Sequence, residues 1–540
     1  MKYFTCLSIT LATIFMTGCK KMDLEPTDVY TEDNFWAVEA NVSSALYNNY
    51  NQMYNSELYF YNEATTDNAY SPSGDYAAIS SGNYTSTLGK FRSDWAFYYR
   101  AILSCNIFLE NIARNTNLPP ATIERMQAET RVIRAFEHYN LAKWYGDVPL
   151  VNHVLTPEEA QTIPRTSRAT VMKFVTDELE AASAVLPKND NLPTIENGRI
   201  TKGAALGLKA RVLLFEGQMS EVISVCERLM KDQAQNGSYG LVGNYSDLFN
   251  NPTVNRANRE SLLSIQYVPT VRTWNEFWDF APRSVGGRVS SMAPTQELVN
   301  DYIMLNGRTI NETGSGYTES NPYVNRDPRL DATIVYHAYN WVNADGTAKT
   351  IFIKPGTDPS PTRVDEYNPT SQSSSPTGYY WRKYFDPSAL PNFVSGENLH
   401  LVRYAEILLN YAEAKQALGQ MDQTVWNATI RALRARAGFT NPEALNYPVS
   451  GNMTNIIRRE RRVELVLEGA IRADDIRRWK IAEDVMDGFV HGAQFSADPS
   501  VDNGYIRVQR RIFDPARNYL WPIPDAEIQL NRNLTQNPGY

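Results

Sequence analysis

Two groups of aromatic residues with polar neighbours have the chemistry to bind a polyol such as a sugar. They comprise Tyr70, Tyr76, Asn83 and Tyr84 in one irregular segment, and Trp274, Trp278, Phe280 and Arg283 in another. Aromatic rings stack on the apolar C–H face of a sugar, while amides and guanidinium groups hydrogen-bond to its hydroxyls. Trp274 and Trp278 are the best stacking candidates because they follow a predicted strand and show no core periodicity. The alternative for each ring is packing against the scaffold.

A further reactive group is the thiol of Cys19, which ends an N-terminal segment typical of a bacterial lipoprotein signal. An apolar run over 7–16 leads into the sequence MTGC, which matches the lipobox pattern. Cleavage before Cys19 leaves a thiol for acylation, and two or more acyl chains anchor a protein stably. The alternatives are an ordinary secretory signal or a chance apolar start. We expect residues 1–18 to be removed and residues 19–30 to form a lipidated tether.

The familiar catalytic templates are absent from the sequence. The five histidines are dispersed, with no HExxH motif or zinc-site spacing, and there is no GxSxG elbow, P-loop or GxGxxG motif. A glycosidase needs only two carboxylates across a cleft, so the sequence leaves that reaction open. Asp474 and Asp475 form an acidic pair, but Arg472, Arg477 and Arg478 favour a structural ion network there. We expect no catalytic residue, no metal and no cofactor.

The arginine-rich run 458–462 could be mistaken for a nucleic-acid-binding patch. Glu460 and Glu464 interleave with these arginines at helical spacing, so the charges can pair along and between helices. Val463 and Leu465 would then pack inward. The net charge of −8 also disfavours binding to a phosphate backbone. We therefore predict a structural role for this run and no nucleic-acid partner.

Helical periodicity dominates the chain and recurs in pairs joined by short turns. We predict helices over 33–54, 92–113, 121–144, 171–186, 204–216, 220–231, 403–418 and 424–437. Small and large residues alternate in 204–213, which lets two antiparallel helices approach closely, as a tetratricopeptide-like unit requires. Strands are predicted over 261–268 and 333–339, and exposed irregular segments over 56–89 and 355–378. The predicted fold is mainly α, a helical scaffold bearing long insertions.

These patterns divide the chain into five parts. They are the signal (1–18), the tether (19–30), an N-terminal helical part with tetratricopeptide-like pairs and one variable loop (31–236), a loop-rich ligand-binding insertion (237–398) and a C-terminal helical part (399–540). The composition, 43% hydrophobic and 21% charged, is that of an ordinary globular protein. Cys105 and Cys226 lie in apolar helical stretches, so we predict buried core thiols. We expect function to concentrate in the irregular parts.

Several motifs, taken in order, resemble those of the SusD/RagB family of surface glycan-binding lipoproteins of Bacteroidetes. The most specific is a helix carrying Ala128, Glu129, Arg131, Arg134, Ala135 and Tyr139, followed by YGDVPLV at 145–151. Further matches are GRITK at 198–202, NRDPRL at 325–330, RYAE at 403–406, YAEA at 411–414, the run 458–479 and LWPIP at 520–524. The resemblance covers nearly the whole mature chain.

The resemblance implies four tetratricopeptide-like helix pairs that support a variable ligand-binding face. It also implies a place beside a SusC-like TonB-dependent outer-membrane transporter. We therefore expect a lipid-anchored, surface-exposed outer-membrane protein that binds an oligosaccharide nutrient and delivers it to that transporter without catalysis. Two alternatives stay open: a helical glycoside hydrolase lipoprotein and a tetratricopeptide-like scaffold for a protein or peptide. The matched residues are mainly scaffold, so the resemblance assigns no ligand-binding residue.

Overall fold

The structure is a computed structural model. It describes residues 32–371, 373–389, 394–448, 450–496 and 498–540, with side chains from residue 35 onward. The predicted signal, Cys19 and the predicted tether lie outside the described residues.

Helices make up a little under half of the described residues. In its first half they are α1 Glu32–Ala37, α2 Glu39–Gln52, α3 Ser56–Tyr61, α4 Gly74–Ser81, α5 Gly89–Asn111, α6 Pro120–Tyr145, α7 Pro157–Ala160, α8 Arg168–Val185, α9 Lys202–Phe215, α10 Met219–Met230, α11 Gln233–Asn236, α12 Asp247–Asn250 and α13 Pro252–Arg256. In its second half they are α14 Gln296–Asp301, α15 Arg329–Thr333, α16 Tyr404–Ala417, α17 Gln423–Ala428, α18 Ile430–Ala437, α19 Pro442–Leu445, α20 Met453–Leu465, α21 Ile471–Trp479, α22 Ala482–Val485 and α23 Asp525–Leu530.

The long helices pack in succession, which confirms the predicted mainly α scaffold. α6 packs against α5 and α8, and the series continues through α9, α10, α16 and α20. The predicted helix over 33–54 divides at Val38, whose backbone is extended. α6 ends at Gly146, where φ is +77° and an added Cβ would lie 2.9 Å from a Leu520 methyl group. Glycine adopts that backbone conformation without steric cost, so it can stop the helix there.

Short antiparallel strand pairs occupy the irregular segments. The strands are β1 Ala69–Tyr70, β2 Ser261–Ile265, β3 Ala293–Pro294, β4 Ile334–Val335, β5 Tyr339–Val342, β6 Ala348–Ile351, β7 Tyr380–Trp381, β8 Leu399–Arg403, β9 Gly488–His491 and β10 Arg507–Arg511. They pair as β1 with β3, β2 with β8, β4 with β7, β5 with β6 and β9 with β10. β2 falls within the predicted strand over 261–268. The predicted strand over 333–339 is only β4 and the first residue of β5.

The segment 56–89 is not the irregular excursion that the sequence predicted. It contains α3 and α4, because local capping and burial outweigh the weak periodicity. The Asn55 side chain caps α3 by accepting a hydrogen bond from the Leu58 backbone N–H at 2.8 Å. Tyr59 and Phe60 of α3 are fully buried, so tertiary packing holds this short helix in place.

The predicted ion networks are present, and they are buried. Glu464 accepts hydrogen bonds from Arg329 at 3.0 Å and Arg403 at 3.1 Å, and all three side chains are buried. These partners lie outside α20, so the pairing is between elements, which is one of the two arrangements that the sequence allowed. Asp475 likewise contacts Arg478 at 2.6 Å, which confirms the structural interpretation of the acidic pair. The predicted core thiols, Cys105 and Cys226, are buried and unbonded.

Candidate ligand-binding cleft

Several irregular segments contact one another through hydrogen bonds. We call the surface that they form the loop face and define it by residues 62–84, 275–291, 353–371, 373–378, 488–496 and 498–511. Arg511 of β10 donates a hydrogen bond to the backbone oxygen of Ala69 at 2.9 Å. The Ala493 backbone N–H donates to the backbone oxygen of Thr377 at 2.7 Å. Segments that are distant in sequence therefore form a continuous surface.

The second predicted group does not present its rings on this face. Trp274 is 3% exposed, Trp278 is 1% exposed and Phe280 is fully buried. The Trp274 indole N–H donates to the backbone oxygen of Glu397 at 2.8 Å, which satisfies it inside the core. The expectation that these rings are exposed for stacking is therefore wrong. Trp278 lies in a 3-10 turn over Glu276–Asp279, which is too short to produce a helical period in the sequence.

Arg283 of the same group is exposed. It directly precedes Ser284, whose backbone N–H donates to Asp365 Oδ1 at 3.1 Å. This bond joins the segment 275–291 to the segment 353–378. The structure thus places Arg283 on the loop face, apart from the buried rings of its predicted group.

The four residues of the first predicted group differ in their exposure to solvent. Tyr70 and Tyr76 are partly buried and Asn83 is exposed, whereas Tyr84 is buried at 8% exposure. Tyr84 hydrogen-bonds to the hydroxyl of Tyr540 near the C-terminus at 2.9 Å.

The two groups meet at one aromatic ring between them. Tyr61 stacks on Tyr76 with ring centroids 5.4 Å apart. Tyr61 also makes an edge-to-face contact with Phe280, with ring centroids 5.2 Å apart. Tyr61 thus links the partly exposed first group to the buried second one. Tyr70, Tyr76, Asn83 and Arg283 stay predictions as ligand contacts.

A cleft of 760 Å³ opens on the loop face between residues 355–369 and residues 495–507. Its lining includes Arg363, Glu366, Tyr367, Asn368, Phe495 and Arg507. The volume lies within the range of about 300–1,000 Å³ that is typical of small-molecule sites. The lining combines aromatic rings with hydrogen-bonding groups, as binding of an amphipathic ligand requires.

Tyr367 and Phe495 form the aromatic part of the cleft. Both side chains are half-buried, and their ring centroids lie 6.4 Å apart at a tilt of 53°. The Tyr367 backbone N–H donates to the backbone oxygen of Ile353 at 2.7 Å, which fixes the loop. Gly378 lies beneath Phe495 with φ at +79°, and an added Cβ would come within 2.9 Å of that ring. The cleft wall is therefore held in place by backbone bonds and close packing.

The charged groups of the cleft are oriented by neighbouring residues. Arg507 donates to both oxygens of Asp502, at 2.5 and 2.9 Å, and Asp502 also lies 3.0 Å from His491 Nε2. Burial opposes ionisation of Glu366, but hydrogen bonds from the backbone N–H groups of Asp358 and its neighbours lower the pKa of that carboxyl. Glu366 is therefore an anionic acceptor at neutral pH.

Sequence reasoning missed the cleft residues Tyr367, Phe495 and Arg507. The sequence predicts a surface loop over 355–378 but does not distinguish Tyr367 from its neighbours in that loop. Residues 495–507 fall in the part that the sequence predicts to be helical, whereas the described residues there form the connection between β9 and β10, with a single 3-10 turn at Asp502–Gly504. One signal was available: Tyr367 precedes Asn368 in a polar loop, the same pattern that singled out Asn83 and Tyr84.

The described residues contain neither a candidate metal site nor a candidate membrane-spanning helix. In those residues, no group of three or more His, Cys, Asp or Glu side chains is placed to hold a metal ion. Across the same part of the chain, every helix is too short or too polar to cross a membrane.

Solved structures share this architecture. A SusD-like carbohydrate binding protein from Bacteroides fragilis is 31% identical, covers 93% of this chain and 100% of its own, and superposes with a TM-score of 0.82. A second SusD-like protein from the same species is 27% identical over 94% of this chain and 99% of its own, with a TM-score of 0.79. SusD-like protein P2 of Formosa agariphila is 24% identical over 98% of this chain and 99% of its own length.

Two family models also match the chain. One, described as the SusD family, matches residues 255–540, and the other, described as starch-binding associating with outer membrane, matches residues 22–214. The first covers more than half of the chain. These matches confirm the resemblance seen in the sequence motifs. The chain belongs to the SusD family.

Proposed function

We propose that this protein is a non-catalytic, cell-surface lipoprotein that captures an oligosaccharide nutrient in the cleft of the loop face and delivers it to a SusC-like TonB-dependent outer-membrane transporter. The main structural support for this proposal is the pair of half-buried aromatic rings, Tyr367 and Phe495. The polar residues Arg363, Asn368 and Arg507 lie beside these rings. The B. fragilis relative, described as carbohydrate binding, supports this assignment. Residues 237–398 then supply one wall of the cleft, and the C-terminal part supplies the other.

The aromatic rings and the polar residues of the cleft have separate roles in ligand recognition. Tyr367 and Phe495 offer apolar surface to the C–H face of a sugar ring. Asn368, Arg363 and Glu366 supply donors and an acceptor for its hydroxyls. Because the cleft is open and few contacts are fully desolvated, we expect micromolar or weaker affinity.

The small number of carboxylates in the cleft argues against hydrolysis of the bound glycan. Glu366 is the one carboxylate among the described lining residues. A glycosidase generally uses two carboxyl groups, one of them protonated as a general acid. The lowered pKa of Glu366 favours its ionised form, which is unsuited to that role. We therefore assign the cleft to binding.

A glycan-panel screen tests the binding proposal. Full-length purified protein is incubated with immobilised plant, algal and bacterial oligosaccharides and, in a parallel arm, with a peptide library. We expect retention of at least one glycan class and no new reducing ends in the supernatant. Release of reducing ends would favour the hydrolase alternative, and retention of peptides alone would favour the peptide-binding scaffold.

Delivery to a transporter depends on the predicted anchor at Cys19. A lipid tether would hold even a weak binding site at high effective concentration beside the transporter. Replacing Cys19 with Ala should abolish nutrient uptake by cells while leaving the glycan affinity of the purified protein unchanged. A loss of affinity in that variant would contradict a purely anchoring role for Cys19.

A further inference from the structure

A second pocket, which we call the basic pocket, has a lining of concentrated positive charge. It measures 330 Å³ and lies among the ends of α6, α9 and α21, the start of α8 and residues 515–538. Its six cationic lining residues are Lys143, Arg168, Arg477, Arg478, Lys480 and Arg517. The described residues that line it include no carboxylate, and none of them lines the cleft on the loop face. This positive charge occurs in a chain whose net charge is −8.

Half of these cations are neutralised by carboxylates behind the pocket wall. The pairs are Lys143 with Asp474 at 3.2 Å, Arg168 with Glu216 at 2.9 Å and Arg478 with Asp475 at 2.6 Å. For Arg477, Lys480 and Arg517, no carboxylate oxygen of the described residues lies within 4 Å. The buried arginines of α20 contrast with these three, since Arg461 and Arg462 each contact carboxylates.

Aromatic rings hold the three unpaired cations in place. Arg477 lies 4.4 Å from the ring centre of Trp144, Lys480 lies 4.1 Å from that of Tyr519, and Arg517 lies 4.5 Å from that of Tyr540. A stacked guanidinium keeps its N–H groups at the edge, where they can reach a ligand. The buried Nε atoms of Arg477 and Arg517 have no hydrogen-bond partner. Each guanidinium also donates to one backbone oxygen, Arg477 to that of Ala473 at 3.2 Å and Arg517 to that of Tyr84. The pocket therefore contains oriented cations whose charge no carboxylate of the described residues neutralises at contact distance.

The cations of the basic pocket also repel one another. Partial desolvation of the ammonium group lowers the pKa of Lys480, although the residue as a whole is exposed. The nearby positive charges of Arg168 and Arg477 lower this pKa further, against the opposing effect of Glu483. Burial likewise lowers the pKa of Arg477. A bound anion would offset both the desolvation and the repulsion. The pocket is thus better matched to an anionic ligand than to water alone.

We propose that the basic pocket binds a tetrahedral oxyanion, sulfate or phosphate, through Arg477, Lys480 and Arg517. Guanidinium and ammonium groups are the usual protein ligands of such oxyanions. The volume of 330 Å³ corresponds to roughly ten waters at about 30 Å³ each, so it holds an oxyanion with its hydration or with an attached sugar ring. The oxyanion is either a free inorganic ion or an ester group on a saccharide. Once bound, it would link α21 to residues 515–538.

Calorimetric titration of the full-length protein with sodium sulfate and sodium phosphate tests the proposal. Sodium chloride keeps the ionic strength constant throughout. We expect saturable binding to one site, and at least fivefold weaker binding in Lys480→Gln and Arg517→Gln. Arg510→Gln is the matched control, because Arg510 is exposed and lies outside the pocket. Absence of saturable binding, or equal affinity in all variants, would overturn the proposal.

A comparison of ligands distinguishes the two sources of the oxyanion. Glucose 6-sulfate should bind at least fivefold more tightly than inorganic sulfate if the pocket recognises a sulfate ester, and equally if it recognises the free ion. Unsulfated glucose should not compete in either case, and competition by glucose would contradict oxyanion recognition. The exposed position of Lys480 makes Lys480→Gln the variant of choice, with its fold verified by near-UV circular dichroism. A folded Lys480→Gln protein with wild-type sulfate affinity would refute the proposal.

Discussion

Trp144 and Trp521, from opposite halves of the chain, stack with their ring centroids 4.1 Å apart and their planes 14° from parallel. The Trp521 backbone N–H also donates to the backbone oxygen of Trp144 at 2.7 Å. Both side chains are almost completely buried. The motif that follows Trp144, at 145–151, and the motif at 520–524 are thus joined by direct packing. This contact closes the C-terminal segment onto the helical scaffold.

Replacing Trp521 with Ala should lower the free energy of unfolding by roughly 3–5 kcal/mol, because it removes a large buried ring and leaves a cavity beside Trp144. Urea denaturation followed by circular dichroism measures this loss. Trp521→Phe is the control, since it keeps an aromatic ring and should lose clearly less. Equal losses in the two variants would show that the stacked ring area does not determine stability here.

Glu464 should be required for stability because it is the carboxylate shared by several buried arginines. Glu464→Gln leaves Arg329 and Arg403 without that charge, and breaking such a buried pair costs roughly 3–5 kcal/mol. Urea denaturation at pH 7 should show this loss. Glu221→Gln on α10 is the control, because Glu221 is exposed and should leave stability unchanged.

The effect of Glu464 should also depend on pH. Burial opposes its ionisation, but Arg436, Arg403 and Arg329 lower its pKa to about 2. A depressed pKa contributes stability above the unfolded-state value near 4.5, and that contribution is lost as the pH falls toward 2. The difference between wild type and Glu464→Gln should therefore shrink between pH 5 and pH 3. A difference that is constant over this range would contradict the lowered pKa.

The helices could be predicted from sequence because their signal is local. The predicted helix over 171–186 differs from α8 by only a few residues, because the apolar spacing of the helix is visible in the sequence. The partners of Glu464 could not be predicted, because Arg329 and Arg403 lie far away in sequence. Helical spacing allowed pairs both along α20 and between helices, and the tertiary fold brings arginines from other elements. The sequence therefore predicted that these charged residues form ion pairs, but it did not predict which residues pair with each other.

The binding face was harder to predict than the scaffold for the same physical reason. Whether an aromatic ring in a loop faces solvent depends on contacts made by other segments. Trp274 is buried because Phe60 of α3 packs against it, with the two ring centroids 5.0 Å apart. The helix α3 itself was not predicted from the sequence. Phe495 borders the cleft because the distant residue Gly378 leaves room for its ring. Neither contact leaves a periodic pattern in the sequence.

Glu63 should make the protein less stable as the pH rises through the weakly acidic range. Asn68 donates a hydrogen bond to Glu63 at 2.6 Å, but burial raises the pKa of the carboxyl to about 7. The unfolded chain releases this proton near pH 4.5, while the folded chain holds it until about pH 7. The stability contributed by the protonated group is therefore lost between these two values, by an amount on the order of 3 kcal/mol.

Glu63→Gln tests this dependence, because the amide keeps an acceptor for Asn68 and has no proton to release. The variant should match wild type near pH 4 and become more stable than wild type by pH 7. Urea midpoints measured at half-unit pH steps provide the comparison. A variant less stable than wild type at pH 7 would mean that the Glu63 carboxylate is ionised and required.

Tyr367 and Phe495 should carry the stacking energy of the proposed cleft. Removing either ring with an alanine substitution should weaken glycan binding about tenfold, which corresponds to a loss of about 1.4 kcal/mol. Affinity electrophoresis with the glycan identified in the panel screen measures this change. Tyr47→Ala is the matched control, since Tyr47 is 56% exposed on α2, outside the cleft, and should leave affinity unchanged.

Tyr76→Ala separates the cleft from the site first predicted by sequence. Tyr76 stacks on Tyr61 on the loop face and is absent from the lining of the cleft. If the cleft binds the glycan, Tyr76→Ala should bind it within twofold of wild type. A tenfold loss in Tyr76→Ala with no change in Tyr367→Ala would move the site to residues 62–84. Equal losses in both would mean that a long oligosaccharide spans the two places, because no single sugar ring can stack on both tyrosines.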